Sequence, residues 1–311
     1  MSFAAAMLIA MAIDAVFGWP DALYRRIGHP VTWLGRLIGT LEGALNKGTA
    51  RRAKGVLTAL LVTGAAAASA GLVVALMPGG WAGTLLTGVL AWPLVALRSM
   101  HQHVAAVAVP LAQGDLQQAR HAVSMIVGRD PSALEEAGVA RAAVESLAEN
   151  TSDGITAPLF WGVVAGLPGI AAYKAINTLD SMIGHRNARY EQFGWASARI
   201  DDLVNLIPAR LTGALFALCC ARPRAAFATM RADARHHRSP NAGWPEAAMA
   251  GALGIRLSGP RVYGDRVSPE PWVNAAAPDP TAADLKRGLG LYRRAMLALA
   301  VLIAALAVTG W

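Results

Sequence analysis

Cysteine is nearly missing from this chain: two residues in 311, Cys219 and Cys220, sit side by side in an apolar run. A disulfide scaffold is thereby excluded, and the redox compartment cannot be read from them. Charge is also scarce, at 15% of residues where soluble domains carry about 25%. Acids are the rarer sign, with 20 Asp and Glu against 28 Lys and Arg, a net charge of +8. So little charge beside 55% hydrophobic residues excludes a disordered chain. Aromatics make up only 6% and do not interleave with the basic residues, so no nucleic-acid module is present. There is no G-x-x-x-x-G-K-[ST] loop, no G-x-G-x-x-G, no G-x-S-x-G elbow and no paired C-x-x-C. A nucleotide, if used, is not held by a standard P-loop.

What is abundant is apolar sequence. Residues Gly55 to Met77 contain no charge, and at about 1.5 Å per residue they cross a hydrocarbon core of about 30 Å. Trp81 to Leu97 is a shorter second candidate, and Pro78-Gly79-Gly80 between them predicts a helical hairpin. Ala295 to Trp311 resembles a third span, anchored by Arg293 and Arg294. Ser2 to Ile13 has no basic n-region and leads into Asp14, so it reads as a retained anchor or half-span. Ile155 to Tyr173 and Leu203 to Ala221 are apolar but interrupted by Pro158, Gly162, Gly166, Pro168, Gly169, Pro208 and Arg210. The fold expected is all-α and polytopic, with about four to six membrane-associated helices, some broken or re-entrant, and cytoplasmic amphipathic helices besides. It is expected to be one domain: an anchor and hairpin over 1–97, a polar region with embedded helices over 98–294, and a final membrane helix over 295–311. Arg25, Arg26, Arg36, Lys47, Arg51, Arg52 and Lys54, with Glu42 the only acid among them, place their loop in the cytoplasm. That role, with attraction to anionic lipid, accounts for most of the positive excess.

Three polar stretches carry candidate chemistry. From Pro131 an amphipathic helix places Arg141, Glu145 and Glu149 on one face and is expected to stop at Asn150 to Gly154; Asp153 extends the ridge. The ridge is either an acidic site or a solvated face paired with Arg141. In the second stretch Lys174, Asn177 and Asp180 follow at three-residue steps, then Arg199, Asp201, Asp202, Asn205 and Arg210. Clustered carboxylates beside a membrane segment suit Mg²⁺, which keeps waters and bridges to phosphate oxygens; an internal salt-bridge network is the alternative. The third stretch, Ser239 to Glu246, with Asn241 and Gly243 before Pro245, predicts a helix start whose amides face an anion. His101, His103, His236 and His237 are expected at the surface, because such close pairs do not face one another on a helix.

Glu145-Ser146-Leu147-Ala148-Glu149-Asn150-Thr151-Ser152-Asp153-Gly154, Pro158-Leu159-Phe160, Tyr173-Lys174, Asn177-Thr178-Leu179-Asp180-Ser181-Met182 and Ala198 to Arg210 resemble the adenosylcobinamide-phosphate synthase family of cobalamin biosynthesis. So do His29-Pro30-Val31 with Trp33 and Gly35, and Ser239 to Glu246. The likeness covers nearly the whole chain, with one departure: Gly18-Trp19-Pro20 stands where Gly-Asp-Pro is frequent. The resemblance implies an inner-membrane ligase, its active site facing the cytoplasm, that joins adenosylcobyric acid to aminopropanol phosphate or aminopropanol with ATP and Mg²⁺. Other cobalamin-pathway enzymes are further partners on that reading, and nucleic acid is not. Under it Asp180, Asp201, Asp202, Asn177 and Asn205 hold the metal, and Lys174, Arg199 and Arg210 contact phosphates. Glu145, Glu149 and Asp153 supply a second metal site or the base that takes the amine proton, and Ser239, Asn241 and Gly243 cradle the aminopropanol phosphate. Simple alternation of spans puts 174–202 outside, away from ATP. The two interrupted segments are therefore expected to be broken or re-entrant, gathering the acidic motifs in one cytoplasm-facing cavity. Two other classes share some features. An Mg²⁺-dependent membrane prenyl or phosphoalcohol transferase would show similar acidic motifs, and a corrinoid transporter would carry buried acids.

Overall fold

A computed structural model describes residues 1–128, 130–263, 266–268 and 270–310, with side chains outside the description at 261–263 and 266–268. The chain divides into two compact, interleaved units: Met1–Leu97 with Ala157–Asn205 and Ala300–Trp311, and Arg98–Thr156 with Leu206–Leu299.

In the first unit, α1 (Phe3–Phe17) opens on Ser2, whose hydroxyl accepts from Ala5 N at 3.1 Å, and stops at Gly18 before Pro20. Two helices follow, α2 (Asp21–Ile27) and α3 (Pro30–Leu45). A reciprocal cap starts α3: His29 Nδ1 accepts from Val31 N, and Thr32 Oγ1 accepts from His29 N, each at 3.2 Å. The chain turns by 113° between α1 and the α2–α3 pair, so the expected half-span is a bent pair. Next come α4 (Arg51–Ala75) and α5 (Gly80–Ala91). Small residues of α4, Gly55, Thr58, Ala59 and Ala70, face inward with Val62, while Leu57, Leu60, Leu61, Leu72 and Leu76 stay exposed, the pattern of a helix with one protein face and one lipid face. The expected hairpin is not the main packing: α4 lies along α9 (Ala157–Ile183), and α5 along α1. Ile38, Val62, Leu179, Ile183 and Phe193 form the core where α3, α4 and α9 meet.

α9 is broken. Ala165 and Gly166 leave helical geometry, and Gly166 sits at φ 63°, which a residue with a side chain adopts only under strain. α10 (Trp195–Val204) ends at Asn205.

The second unit contains α6, whose first residue is the preceding unit's last (Leu97–Ala112), α7 (Leu116–Ser124), α8 (Glu136–Thr151), α11 (Leu206–Cys219), α12 (Pro223–Asp233) and α13 (Gly243–Leu253). α13 is buried along almost its whole length, packed by α8, α11 and α12. Four short strands complete it. β1 (Leu257–Ser258) pairs antiparallel with β4 (Trp272–Val273), and β2 (Arg261–Tyr263) pairs antiparallel with β3 (Arg266–Ser268). α14 (Ala282–Val308) begins here and contributes its last residues to the first unit.

Two sequence expectations need correction. α8 ends at Thr151, inside the expected 150–154, but the helical run does not stop there, because Ser152–Thr156 form a π turn that leads directly into α9. The final helix begins at Ala282, so Arg293 and Arg294 lie within it rather than before it. Among the described residues, four helical runs are long and apolar enough to cross a membrane, or up to six if each bent pair is one span. The chain is a multi-pass membrane protein.

Candidate functional site

The break between α10 and α11 follows from Pro208. Proline has no N–H to give the carbonyl four residues back, Val204, and that carbonyl instead accepts the Trp161 indole N–H at 3.0 Å. At this break, Asn205 Oδ1 accepts from the buried Tyr173 hydroxyl at 2.9 Å, and its Nδ2 donates to Asp201 Oδ2 at 3.0 Å. Asn205 is 1% exposed and Tyr173 1%. Predicted as a metal ligand, Asn205 is engaged inside the protein as the link that orients Asp201.

Asp202 turns the other way and pairs with Arg199 at 3.1 Å. Asp180, from α9, lies within electrostatic reach of Asp202, Arg199 and His185. The Asp180 carboxylate rests against Gly184, where an added Cβ would come within 1.9 Å of Oδ1. Lys174 Nζ is 3.5 Å from Asn177 Oδ1, so these two share one face of α9. Lys174 is also within electrostatic reach of His29, whose ring donates to the Pro93 carbonyl and meets the Trp19 ring edge-on at 5.2 Å between centroids. Lys174, Asn177, Asp180, Arg199, Asp201, Asp202 and Asn205 thus occupy one unit, joined by Tyr173 and His29. Neither was given a role from sequence. Their partners lie 32 and 145 positions away, and no local periodicity signals such contacts.

Among the described residues no three His, Cys, Asp or Glu side chains converge closely enough to hold a metal ion. The donor chemistry still fits Mg²⁺, which takes one or two carboxylates and completes its shell with water and substrate phosphates. Asp180 and Asp202, two hard-oxygen groups of like charge from different helices, are such a pair.

The remaining predicted residues lie in the second unit. Arg210 donates to Leu206 O at 2.6 Å, and its guanidinium lies over the Trp244 ring at 4.4 Å, which brings it to the start of α13. Ser239 Oγ accepts from both Asn241 N and Ala242 N at 3.2 Å. Gly243 is there for packing, since a Cβ would lie 2.2 Å from the Ala234 carbonyl oxygen. This helix start is buried, with Asn241 at 5% and Glu246 at 1% exposure, rather than open to solution. His237, expected at the surface, is instead partly buried, with Nε2 3.7 Å from Glu246 Oε1.

The acidic ridge of α8 divides. Glu145 is buried and accepts from Ser258 N at 2.7 Å, whereas Glu149 is exposed and Asp153 half-buried on the π turn. Arg141 pairs with neither Glu145 nor Glu149 but with Asp279. Arg256 grips the same carboxylate through Nε at 2.9 Å and Nη2 at 2.6 Å, and the Trp272 ring packs against both guanidinium groups. Hydrogen bonds from Arg256, then from Arg141, pull the Asp279 carboxyl from its ordinary 3.8 down to about 2. This is a structural clamp with no open coordination.

Comparison with known proteins follows the same lines. The model of a family described as "CobD/Cbib protein" matches residues 7–292. The Cobalamin biosynthesis protein CobD of Rhodobacter capsulatus is 68% identical over 309 residues, covering 99% of this chain and 98% of that one. Proteins of the same name from a Sinorhizobium species and from Brucella suis biovar 1 are 46% and 47% identical, each over 97% of this chain. No solved structure matches.

Proposed function

The chain belongs to the CobD/Cbib protein family, whose members act in cobalamin biosynthesis, and on that premise we propose that it is an adenosylcobinamide-phosphate synthase. The reaction is amide formation between the propionate carboxylate of adenosylcobyric acid and the amine of aminopropanol phosphate or aminopropanol, with ATP as co-substrate, at the cytoplasmic face of the inner membrane. The observation that supports the proposal beyond family membership is that Asp180 lies within electrostatic reach of Asp202 and Arg199, with Arg199 paired to Asp202 at 3.1 Å and Lys174 earlier on the helix that carries Asp180.

A carboxylate does not acylate an amine in water, because its carbonyl carbon is electron-rich and oxide is a poor leaving group. Activation proceeds by attack of a propionate oxygen on the γ-phosphorus of ATP, which breaks the bond to the β-phosphate oxygen and releases ADP. The amine nitrogen then attacks the acyl phosphate carbon, inorganic phosphate leaves, and the amine proton passes to a base. Positioning and charge neutralisation supply most of the acceleration in phosphoryl transfer. Asp180 and Asp202 would hold Mg²⁺, which when bound neutralises phosphate charge. Lys174 and Arg199 contact nucleotide phosphates, Lys174 as a point charge and Arg199 through its planar fork. Asp201 is held in place by Asn205 and Tyr173 and fixes the end of α10. Glu149 and Asp153 are the candidates for the base, since Glu145 is committed to Ser258.

The test is to incubate the purified, membrane-inserted protein with adenosylcobyric acid, Mg-ATP and aminopropanol phosphate and to follow the amide by mass. Amide is expected only with ATP, and Asp202→Asn and Asp180→Asn are expected to lower kcat by about 10² to 10³-fold. No amide under any of these conditions overturns the ligase reading. Full activity in both variants removes the carboxylate pair from the chemistry.

A further inference from the structure

The end of α3, the start of α4 and Arg189 line an open cavity of about 360 Å³ that none of the chemistry above uses. Its polar wall is Glu42, Asn46, Lys47, Arg51 and Arg189, three cations against one carboxylate. That carboxylate is already neutralised, because Arg189 donates to both its oxygens at 3.0 and 2.9 Å and Asn46 Nδ2 donates to Oε1 at 2.8 Å. Arg51 is braced from two sides: its Nε donates to Asn46 Oδ1 at 2.7 Å, and its Nη2 donates to the Arg189 carbonyl. Lys47 is exposed and its ammonium makes no hydrogen bond or ion pair among the described residues. The wall is therefore a preformed positive surface with its single acid cancelled.

Its place along the chain identifies the occupant. The uncharged stretch of α4 begins at Gly55, four residues past Arg51, so the cavity lies where that helix passes from headgroups to hydrocarbon. Beside it Arg52 lies over the Trp195 ring at 3.8 Å, and Trp195 is 41% exposed, the pairing of basic and aromatic side chains found at membrane interfaces. We propose that this cavity binds the phosphate of an anionic phospholipid headgroup, with Lys47 and the braced Arg51 as its contacts. A soluble phosphate offers the same chemistry, and the test separates the two sources.

Native mass spectrometry of the full chain released from mixed micelles reads retained lipid directly. Phosphatidylglycerol is expected to bind about tenfold more tightly than phosphatidylcholine. Lys47→Gln is expected to weaken phosphatidylglycerol about fivefold and leave phosphatidylcholine unchanged, while Lys47→Arg keeps wild-type binding. Lys47 is exposed, so these variants keep the fold, and an unchanged gel-filtration profile checks it. Equal retention of the two lipids, or wild-type retention in Lys47→Gln, overturns the proposal. Displacement of phosphatidylglycerol by millimolar inorganic phosphate assigns the cavity to a soluble anion and overturns the lipid assignment; persistence of the lipid there supports it. Amide synthesis enters none of these readouts, so the cavity stands or fails apart from the ligase reading.

Discussion

Asn205 uses both ends of its amide inside the protein, accepting from Tyr173 and donating to Asp201. Removing the Tyr173 hydroxyl leaves a buried acceptor short of one donor, so Tyr173→Phe is expected to cost about 1–3 kcal/mol in thermal unfolding. Asn205→Ala removes both bonds, and the double variant is expected to be less destabilised than the sum of the singles, because the bonds form one chain. Additive losses would show that Tyr173 and Asn205 act separately. Asp279 gives a pH dependence of known sign. Its carboxyl titrates lower in the folded protein than its ordinary 3.8, so the clamp stabilises fully above that value and fades as pH falls toward about 2. Asp279→Asn is expected to lower the unfolding temperature at neutral pH by the equivalent of about 1–2 kcal/mol, a figure discounted for the partly exposed pair, and to lose that difference in acid. A difference that persists below pH 2 contradicts the clamp. That Lys174 and Asn177 share a face was legible in sequence, because helical spacing is local. Sequence did not show that Arg141 turns to Asp279 rather than Glu145, since a partner 138 positions away leaves no periodic mark.

At the scale of elements, the break at Asn205 depends on a proline and on the indole that replaces its missing donor. Pro208→Ala restores an N–H that competes with Trp161 for the Val204 carbonyl, and it removes a residue disfavoured in helix interiors. The variant is expected to unfold no more easily than wild type yet to lose most activity, because the end of α10 that carries Asp201 and Asp202 is no longer held by Trp161. Retained activity with raised stability would show that this break does not set the site. The interrupted composition of 155–173 and 203–221 announced breaks, and both are present, one at Gly166 and one before Pro208. The stop expected near Gly154 is absent because five residues form a wider turn instead. Ser, Thr, Asp and Gly read as a terminator in sequence, yet a π turn accepts them. Whether such a cluster ends a helix or widens it depends on the packing of that turn against α8 and α11, a tertiary matter.

For the whole molecule, runs without charge were the most legible feature, because a hydrocarbon layer demands length and apolarity from each span alone. The interleaving of two units was not legible, since it is set by which distant helices touch. The basic residues at the start of α4 predict that the loop before it lies in the cytoplasm. With Cys219 and Cys220 replaced by serine, Thr49→Cys in intact cells is expected to resist an impermeant maleimide and to react once the membrane is opened; labelling in intact cells would place this loop outside. The central claim, that ATP activates the carboxylate of the corrinoid acid as an acyl phosphate, is tested most directly with ¹⁸O in that carboxylate. One labelled oxygen per amide is expected in inorganic phosphate, because the C–O bond breaks on the carbon side when the amine attacks. Label in AMP, or amide formed with no label in phosphate, would contradict it.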